Sequence, residues 1–230
     1  MNSSLSWRIR KLIAILISLM PLNIMRTAMY RFAMGYEISL AAKIGFATRI
    51  VVKKAKIGRA VIGRFNRFIG PFRLQIEDGA YIGSRNTFEC GFWSLKPEFN
   101  GAGFPRFCEL GDNTVITCGH YFDSTGGFRL GERSWIAGRD SQFWTHGAEG
   151  DKAISRMINI GSSSYIGSAV RFTAGSGIGD HSVVAVGSVV TERFDKSHLL
   201  VGGVPAKVIR TGYLNKNFDI NRGLRENPHK

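Results

Sequence analysis

The stretch from Ile158 to Val190 carries an apolar side chain at every sixth position. The repeating residues are Ile160, Ile166, Phe172, Ile178, Val184 and Val190. A helix repeats about every 3.6 residues and a strand about every 2, so a period of six fits neither element alone. The period is typical of short strands joined by corners in a parallel β-helix. Six residues span roughly 20 Å, so the sequence predicts a triangular prism filled by the sixth-position side chains.

The same step begins earlier in the chain, with less regular spacing. Its apolar positions are Ile38, Ile44, Ile50, Ile57, Ile62, Ile69, Ile82, Leu110, Ile116, Phe122, Leu130 and Ile136. Two stretches, near 91–107 and 147–157, break the period, and we expect both to leave the prism as loops. Long loops are commonly functional. The aromatic residues Trp93, Phe99 and Phe104 either cover an acceptor or pack against a helix or a neighbouring subunit.

A closing motif, Val201-Gly-Gly-Val-Pro-Ala-Lys-Val-Ile-Arg210, follows the regular repeats. Repeats closed in this way resemble the hexapeptide-repeat acyltransferases, best over about residues 110–210. The resemblance implies an all-β solenoid, a left-handed parallel β-helix with a short N-terminal helical segment. The chain then divides into a basic, apolar helical segment at 1–37, a β-helix at 38–210 and a polar tail at 211–230.

Positive charge is concentrated in the N-terminal third of the 230-residue chain. Residues 1–73 hold 14 of the 31 lysines and arginines but one of the 17 acids, a net +13 of the total +14. Such a surface favours anionic lipid or a phosphorylated ligand. The basic residues at 53–73 fall between inward positions and should point outward, toward an anionic partner or simply into solvent. Nothing resembles a nucleic-acid recognition motif, so we expect no nucleic-acid partner.

Residues 1–34 place cations before a short apolar run, Leu12 to Met20. This run is too short to cross a bilayer, which takes about 20 residues. A signal peptide has the same order of charge and apolar run, but no cleavage site is recognisable. We expect helices on a membrane surface or, as the alternative, a cap on the first coil. Both roles are compatible.

Three cysteines, Cys90, Cys108 and Cys118, show no metal-binding or paired spacing. An odd number without CxxC favours reduced thiols in a cytoplasmic protein over a secreted disulfide framework. We therefore expect a cytoplasmic location, peripheral on the inner face of the cytoplasmic membrane if the N-terminal segment binds lipid.

His146 is the leading candidate for a general base among five histidines. It lies in Thr145-His146-Gly147, where repeat gives way to loop, before the restart at Ile158-Asn-Ile-Gly161. In the sugar O-acetyltransferases that the sequence resembles, the catalytic histidine precedes a loop and such a restart. His120 is a weaker candidate, to orient the acceptor or support the oxyanion. The sequence does not select a carboxylate partner from Asp123, Asp140, Glu149 and Asp151.

The resemblance also implies acetyl-CoA as the co-substrate. Residues expected to line its groove or meet its phosphates are Tyr165, Ser168, Ala185, Val186, Thr191, Lys207 and Arg210. Lysine and arginine suit the phosphates of coenzyme A, and stacked coils offer backbone groups to its pantetheine arm. A metal site in a β-helix requires two histidines close together in sequence. His120, His146 and His181 are far apart in sequence, so no metal is expected.

The sequence thus predicts an acetyl-CoA-dependent O-acetyltransferase that acts on a saccharide of surface polysaccharide biosynthesis. The resemblance implies a homotrimer with the site between prisms, and an acceptor that is in some pathways lipid-linked. Two alternatives stay open: N-acetylation of an amino sugar on the same fold, and a non-enzymatic β-helix binding scaffold.

Overall fold

The computed structural model describes residues 3–96, 103–150 and 152–214 of the chain. Two helices, α1 (Ser3–Ser18) and α2 (Asn23–Phe32), precede the strands, and a 3-10 turn, η1, covers Phe92–Leu95. The strands in chain order are β1 (Glu37–Ile38), β2 (Lys43–Ile44), β3 (Arg49–Ile57), β4 (Val61–Ile62), β5 (Arg67–Ile76), β6 (Tyr81–Ile82), β7 (Thr87–Glu89), β8 (Phe107–Leu110), β9 (Val115–Ile116), β10 (Tyr121–Asp123), β11 (Phe128–Leu130), β12 (Trp135–Ile136), β13 (Gln142–Phe143), β14 (His146–Glu149), β15 (Lys152–Ser155), β16 (Ile158–Ile160), β17 (Tyr165–Ile166), β18 (Arg171–Phe172), β19 (Gly177–Ile178), β20 (Val183–Val184), β21 (Val189–Val190), β22 (Arg193–Phe194), β23 (Leu200–Gly203) and β24 (Ala206–Arg210).

The strands stack in parallel into three faces, which the chain visits in the order face one, face two, face three. Face one contains β1, the second halves of β3 and β5, β8, β11, β16, β19 and β22. Face two contains β2, β4, β6, β9, β12, β17, β20 and β23, with β24 added antiparallel. Face three contains the first halves of β3 and β5, β7, β10, β13, β18 and β21. The molecule is therefore the predicted parallel β-helix.

The six-residue period marks the interior, as predicted. The side chains of the regular repeat, from Ile160 to Val190, are all buried, and so are nearly all the earlier apolar positions. Between them, the basic residues from Lys53 to Arg73 are exposed, which confirms that they point outward. The alternation follows from the strand pleat, which sends successive side chains to opposite surfaces.

Face three is filled by a ladder of phenylalanines. Phe68, Phe88, Phe122, Phe143 and Phe172 stack nearly parallel, with ring centroids 4.5, 4.3, 4.8 and 5.2 Å apart. The ring spacing matches the strand spacing of about 4.8 Å. Each coil therefore adds one ring to the core beneath face three.

One apolar position was assigned to the wrong side of the sheet. Ile69, which a glycine follows, was counted among the apolar positions of the six-residue step. In the structure Phe68 occupies the interior and Ile69 is half-buried on the outer surface. Because the pleat alternates, the two neighbours cannot both point inward. Gly70 then turns the corner at φ 137°, where a Cβ atom would lie 2.2 Å from the Cys90 carbonyl oxygen.

The helices cover the open end of the first coil. The Tyr30 hydroxyl donates to the Thr48 carbonyl at 2.9 Å, and Arg26 Nε donates to the Ile44 carbonyl at 2.8 Å. The Asn23 side chain accepts from the Ile44 N–H at 2.6 Å. These side chains satisfy strand groups that no further coil would reach, which is the role expected of a cap.

No helix in the described ranges is long and apolar enough to span a membrane. At the other end of the solenoid, β23 and β24 form an antiparallel hairpin. Most of the predicted tail, 215–230, lies outside the described residues, as does Phe99.

Candidate active site

Three successive coils bring their corners between face three and face one together. In the first coil, the excursion after β7 leaves this corner and includes η1. In the second coil, the corner is the short turn after Asp123. In the third coil, the predicted excursion at 147–157 is an antiparallel hairpin, β14–β15, that begins at His146. Both excursions therefore flank the Asp123 turn.

His146 and Asp123 form a hydrogen-bonded pair in this position. The His146 Nδ1 atom lies 2.7 Å from Asp123 Oδ2. The Asp123 side chain is 2 % exposed and the His146 side chain is 31 % exposed. The carboxylate is thus inside the wall, and the imidazole lies over it at the surface. The structure pairs His146 with Asp123, one of the four carboxylates that the sequence left open; another of them, Asp151, lies outside the described residues.

Asp123 is held as a carboxylate by several donors. Oδ2 accepts from the Thr145 N–H at 2.8 Å and the Thr145 hydroxyl at 2.6 Å, and Oδ1 accepts from the Thr125 N–H at 3.0 Å. Burial alone would raise the pKa of Asp123, but the hydrogen bonds from His146, Thr125 and Thr145 outweigh it and the pKa is lowered. Charged acceptors that receive several such bonds stay ionised.

The ionised carboxylate sets the state of His146. The hydrogen bond to Asp123 raises the pKa of His146 above its usual value, and partial burial opposes this rise. In the neutral ring, Nδ1 carries the hydrogen that faces Asp123, so Nε2 keeps its lone pair. An imidazole in this arrangement accepts a proton at Nε2 while a carboxylate stabilises the cation that results.

The short turn that follows Asp123 explains why Asp123 and His146 form a pair. The Gly126 N–H donates to Thr145 Oγ1 at 2.8 Å, and a Cβ atom on Gly126 would lie 2.2 Å from the Thr145 carbonyl oxygen. Phe122 and Phe143 are partners in register, so the residues that follow them, Asp123 and Trp144, are neighbours across the coils. By this register one coil back from His146 is Thr125, and of the four carboxylates that the sequence left open Asp123 is the nearest to Thr125 along the chain.

Aromatic residues of the first excursion reach the pair. The Trp93 ring lies 5.1 Å from the His146 ring, and Phe104 meets Trp93 edge to face at 5.4 Å. On the outer surface of face three, Trp144 contacts Tyr121 at 4.6 Å and is well exposed. The excursion therefore forms one wall beside His146.

His120 lies apart from the pair, at the corner between face two and face three. It is 2 % exposed, its Nε2 lies 3.0 Å from Thr117 Oγ1, and its Nδ1 accepts from the Ser141 N–H at 3.2 Å. Desolvation lowers the pKa of His120 to about 4. A buried, neutral histidine with both ring nitrogens occupied orders the corner, and no contact joins it to His146.

Of the other histidines, His181 and His198 pair with each other rather than with His146, and His229 lies outside the described residues. His181 stacks on His198 at 4.9 Å, and the three cysteines are unbridged. Within the described ranges no group of three or more histidine, cysteine or acidic side chains is placed to hold a metal ion.

The residues predicted to bind coenzyme A fall into two groups. Ser168, Ala185 and Val186 lie at the corner between face two and face three, where the Ser168 carbonyl accepts from the Gly187 N–H at 2.9 Å. Tyr165 is on face two, edge to face with Trp135 at 5.9 Å.

The second group lies toward the corner that carries His146. Thr191 directly follows β21, at the same corner two coils beyond Trp144. Lys207 on β24 donates to Glu192 at 2.8 Å, and Arg210 ends the same strand in an exposed position. The Lys207 side chain therefore reaches Glu192, next to Thr191, while the Lys207 backbone pairs with Gly202, which stacks on Ala185.

Comparison with known proteins gives matches in structure alone. No protein-family model and no curated protein matches the sequence. A polysialic acid O-acetyltransferase is 16 % identical with a TM-score of 0.58, over 84 % of this chain and 92 % of that one. A galactoside acetyltransferase in complex with coenzyme A is 15 % identical with a TM-score of 0.51, over 92 % and 85 %.

A third similar structure is a UDP-N-acetylglucosamine O-acyltransferase from Moraxella catarrhalis. It is 16 % identical with a TM-score of 0.54, over 83 % of this chain and 72 % of that one. At such identities the likeness is one of fold. The chain therefore has the left-handed parallel β-helix fold of these acyltransferases, as its sequence predicts.

Proposed function

We propose that the protein is an acetyl-CoA-dependent O-acetyltransferase whose acceptor is a saccharide hydroxyl. The observation that carries the proposal is the His146–Asp123 pair, with a buried carboxylate behind a surface imidazole. The fold supports the proposal, because the three similar structures are a polysialic acid O-acetyltransferase, a galactoside acetyltransferase and a UDP-N-acetylglucosamine O-acyltransferase.

The geometry fits direct transfer. The acceptor hydroxyl donates its hydrogen bond to His146 Nε2, and its oxygen attacks the thioester carbonyl as the proton moves to Nε2. The new C–O bond forms, the C–S bond breaks, and the imidazolium returns the proton to the departing thiolate of coenzyme A. Asp123 stabilises the imidazolium throughout, so the step needs no covalent enzyme intermediate.

Coenzyme A binds, in this proposal, along the C-terminal coils. Thr191 lies on the His146 side, and Lys207 and Arg210 meet the phosphates after the Glu192 contact yields. Tyr165, Ser168, Ala185 and Val186 line the opposite wall of a groove between two prisms. A homotrimer, with such a groove at each interface, satisfies this arrangement. A monomer mass in analytical ultracentrifugation would contradict it.

The acceptor lies against Trp93 and the exposed Trp144, on the other side of His146. Aromatic faces next to polar groups suit sugar rings, which present apolar C–H surfaces and hydroxyls together. We assign the acceptor to surface polysaccharide biosynthesis, because the N-terminal surface described next favours binding of the protein to a membrane.

That surface comprises exposed apolar side chains of the two helices and of the turn between them. They are Ile9, Leu12, Leu16, Leu19, Leu22, Ile24, Met25, Met29 and Phe32. Helix α1 is apolar on both sides, since Ala14 and Ile17 are buried against the first coil. With the net +13 charge of residues 1–73 around it, this face fits an anionic lipid surface such as the inner leaflet of the cytoplasmic membrane.

A single variant tests the function. The purified protein should bind acetyl-CoA by calorimetry and transfer acetyl groups to lipid-linked or nucleotide sugars, giving an alkali-labile ester rather than an amide. His146→Ala should lower kcat by ~10²-fold or more while acetyl-CoA affinity is kept. Near-normal turnover removes His146 as the base. Failure to bind acetyl-CoA favours a binding scaffold.

A further inference from the structure

A charged cleft of about 400 Å³ lies beside the active site, between α1 and η1. Its floor is the outer surface of the first coils of face three, where it is lined by the buried Val51 and the half-buried Ile69. Phe92 of η1 forms one wall, and the Lys11 ammonium lies 5.0 Å from the centre of its ring. The charged groups that line the cleft are Lys11, Arg49, Arg67 and Glu89.

Two arginines of this cleft stack on each other without a counter-charge. Arg49 and Arg67 are direct partners in register, so their stems are separated by the strand spacing of about 4.8 Å. Like charges placed opposite each other in a sheet are unfavourable. Among the described residues no carboxylate lies within salt-bridge distance of Arg49, Arg67 or Lys11.

On face one, by contrast, a carboxylate bridges two arginines. Glu109 forms ion pairs with Arg73 and Arg129, at 2.9 and 2.7 Å. That carboxylate neutralises the two cations from within the protein. Arg49 and Arg67 are on adjacent coils with no residue between them, so an anion from outside would neutralise them in the same way.

The cleft is polarised toward its outer end. Its one carboxylate, Glu89, is the register partner of Asp123 and so lies on the active-site side. Cys90 next to it is neutral, because burial raises the pKa of its thiol. The other end of the cleft, where Lys11, Arg49 and Arg67 lie, is the more favourable place for an anionic group.

The cleft leads to the proposed base. Phe92 lines the cleft, and its neighbour Trp93 lies 5.1 Å from the His146 ring. Arg67, Thr87, Tyr121 and Gln142 stack in register, so the coil that carries His146 lies three coils from Arg67, about 14 Å along the axis. An acceptor with more than one sugar unit beyond a phosphate bound at Arg67 would cover this distance.

We propose that Lys11, Arg49 and Arg67 bind a phosphate or pyrophosphate group carried by the saccharide acceptor. The inference rests on the proposed function and adds the class of acceptor. Guanidinium groups bind phosphate oxygens in pairs, and two adjacent arginines suit a pyrophosphate. The group has two sources, a nucleotide sugar or a lipid-linked sugar, and both offer the same chemistry.

Binding of inorganic pyrophosphate tests the site directly. It is measured by calorimetry on the full chain with excess coenzyme A present, which occupies the co-substrate phosphate site. R49Q/R67Q should bind pyrophosphate at least ~10-fold more weakly than the wild type. K43Q/K54Q removes two exposed cations outside the cleft and should change the affinity less than ~2-fold. Equal pyrophosphate affinity in the two double variants, with unchanged thermal melting, overturns the proposal.

Two further probes identify the source and separate this inference from the proposed function. UDP-glucose is the soluble probe, and phosphatidylcholine vesicles containing undecaprenyl phosphate are the lipid probe. Loss of either interaction in R49Q/R67Q but not in K43Q/K54Q supports the site and names the source, and loss of neither overturns it. A wild type that binds pyrophosphate through these arginines but not acetyl-CoA leaves this site standing and refutes the transferase.

Discussion

At the scale of single residues, Asp123 decides what His146 can do. The carboxylate is 2 % exposed and accepts from His146, from Thr125 and twice from Thr145, so it stays ionised inside the wall. It fixes the tautomer that leaves Nε2 open and stabilises the imidazolium once it forms. Asp123 is therefore a positioning residue, since it acts on the acceptor through His146.

Asp123→Asn should lower kcat/KM by about 10²–10⁴-fold, because the amide neither selects the tautomer nor stabilises the cation. Acetyl-CoA affinity should be unchanged. Asp140→Asn is the matched control, since Asp140 is exposed and the sequence alone ranks it equally with Asp123. Steady-state rates of the two variants check this prediction, and equal rates for both would contradict it.

The pH profile gives an independent reading of the pair. Asp123 raises the pKa of His146, and the base works in its neutral form. Activity should therefore be low below this raised pKa and increase as pH rises through it. Asp123→Asn removes the largest cause of the raised His146 pKa. The acid limb of log kcat/KM against pH should therefore move to lower pH. An unmoved limb would mean that another group is titrating.

His120 does not produce this limb, because its pKa is lowered to about 4 by burial. The ring occupies a sealed corner, where its two nitrogens meet Thr117 and Ser141. We assign it a structural role rather than contact with the acceptor.

At the scale of elements, the phenylalanine ladder positions the site. Phe122 and Phe143 stack at 4.8 Å directly beneath the coils that carry Asp123 and His146. Their register partnership puts the residues that follow them side by side. Core packing and site geometry are thus set by the same strands, β10 and β13.

Phe122→Ala should destabilise the protein by about 3–5 kcal/mol, because neighbouring rings above and below cannot close the cavity. Phe32→Ala, at a ring that is 75 % exposed, should cost less than about 0.5 kcal/mol. Urea denaturation followed by circular dichroism compares them. Similar midpoints for the two variants would show that the ladder does not stabilise the fold.

At the scale of the whole molecule, the solenoid has two different ends. The helices close the N-terminal end with an apolar, basic surface, and a hairpin, β23–β24, closes the other end beside the proposed co-substrate groove. The cleft between α1 and η1, which we propose binds phosphate, lies between the helical end and His146. In the proposed mechanism, an acceptor presented at a membrane would reach His146 from one end while acetyl-CoA occupies the other.

Leu12→Ser/Leu16→Ser should reduce flotation with phosphatidylglycerol vesicles several-fold, because both side chains are 60 % exposed on the outer face of α1. The buried face that caps the first coil is unchanged, so thermal melting should be too. Val204→Ser/Leu214→Ser, which replaces exposed apolar residues at the far end, should float like the wild type. Equal flotation of both double variants would exclude the helical face as the membrane contact.

The sequence alone determined the fold and most of the interior. A six-residue apolar period leaves few ways to bury its side chains, so the prism and its inward positions, such as Ile160 and Phe172, follow from local spacing. The break in the period after His146 also predicted the excursion at 147–157, which the structure shows as the hairpin β14–β15. The prediction was wrong at Ile69. Its isoleucine–glycine pair looks like the start of a repeat, but the strand pleat turns Phe68 inward and Ile69 outward.

Tertiary structure decided which distant residues meet. The partner of His146 depends on how many residues each corner and excursion contains, so Asp123 was chosen over Asp140 by coil register. Register likewise placed Arg49 on Arg67, and it sealed His120 in a corner away from His146. Local spacing fixes which side of the sheet a residue occupies, but contacts between coils depend on the accumulated length of every turn before them.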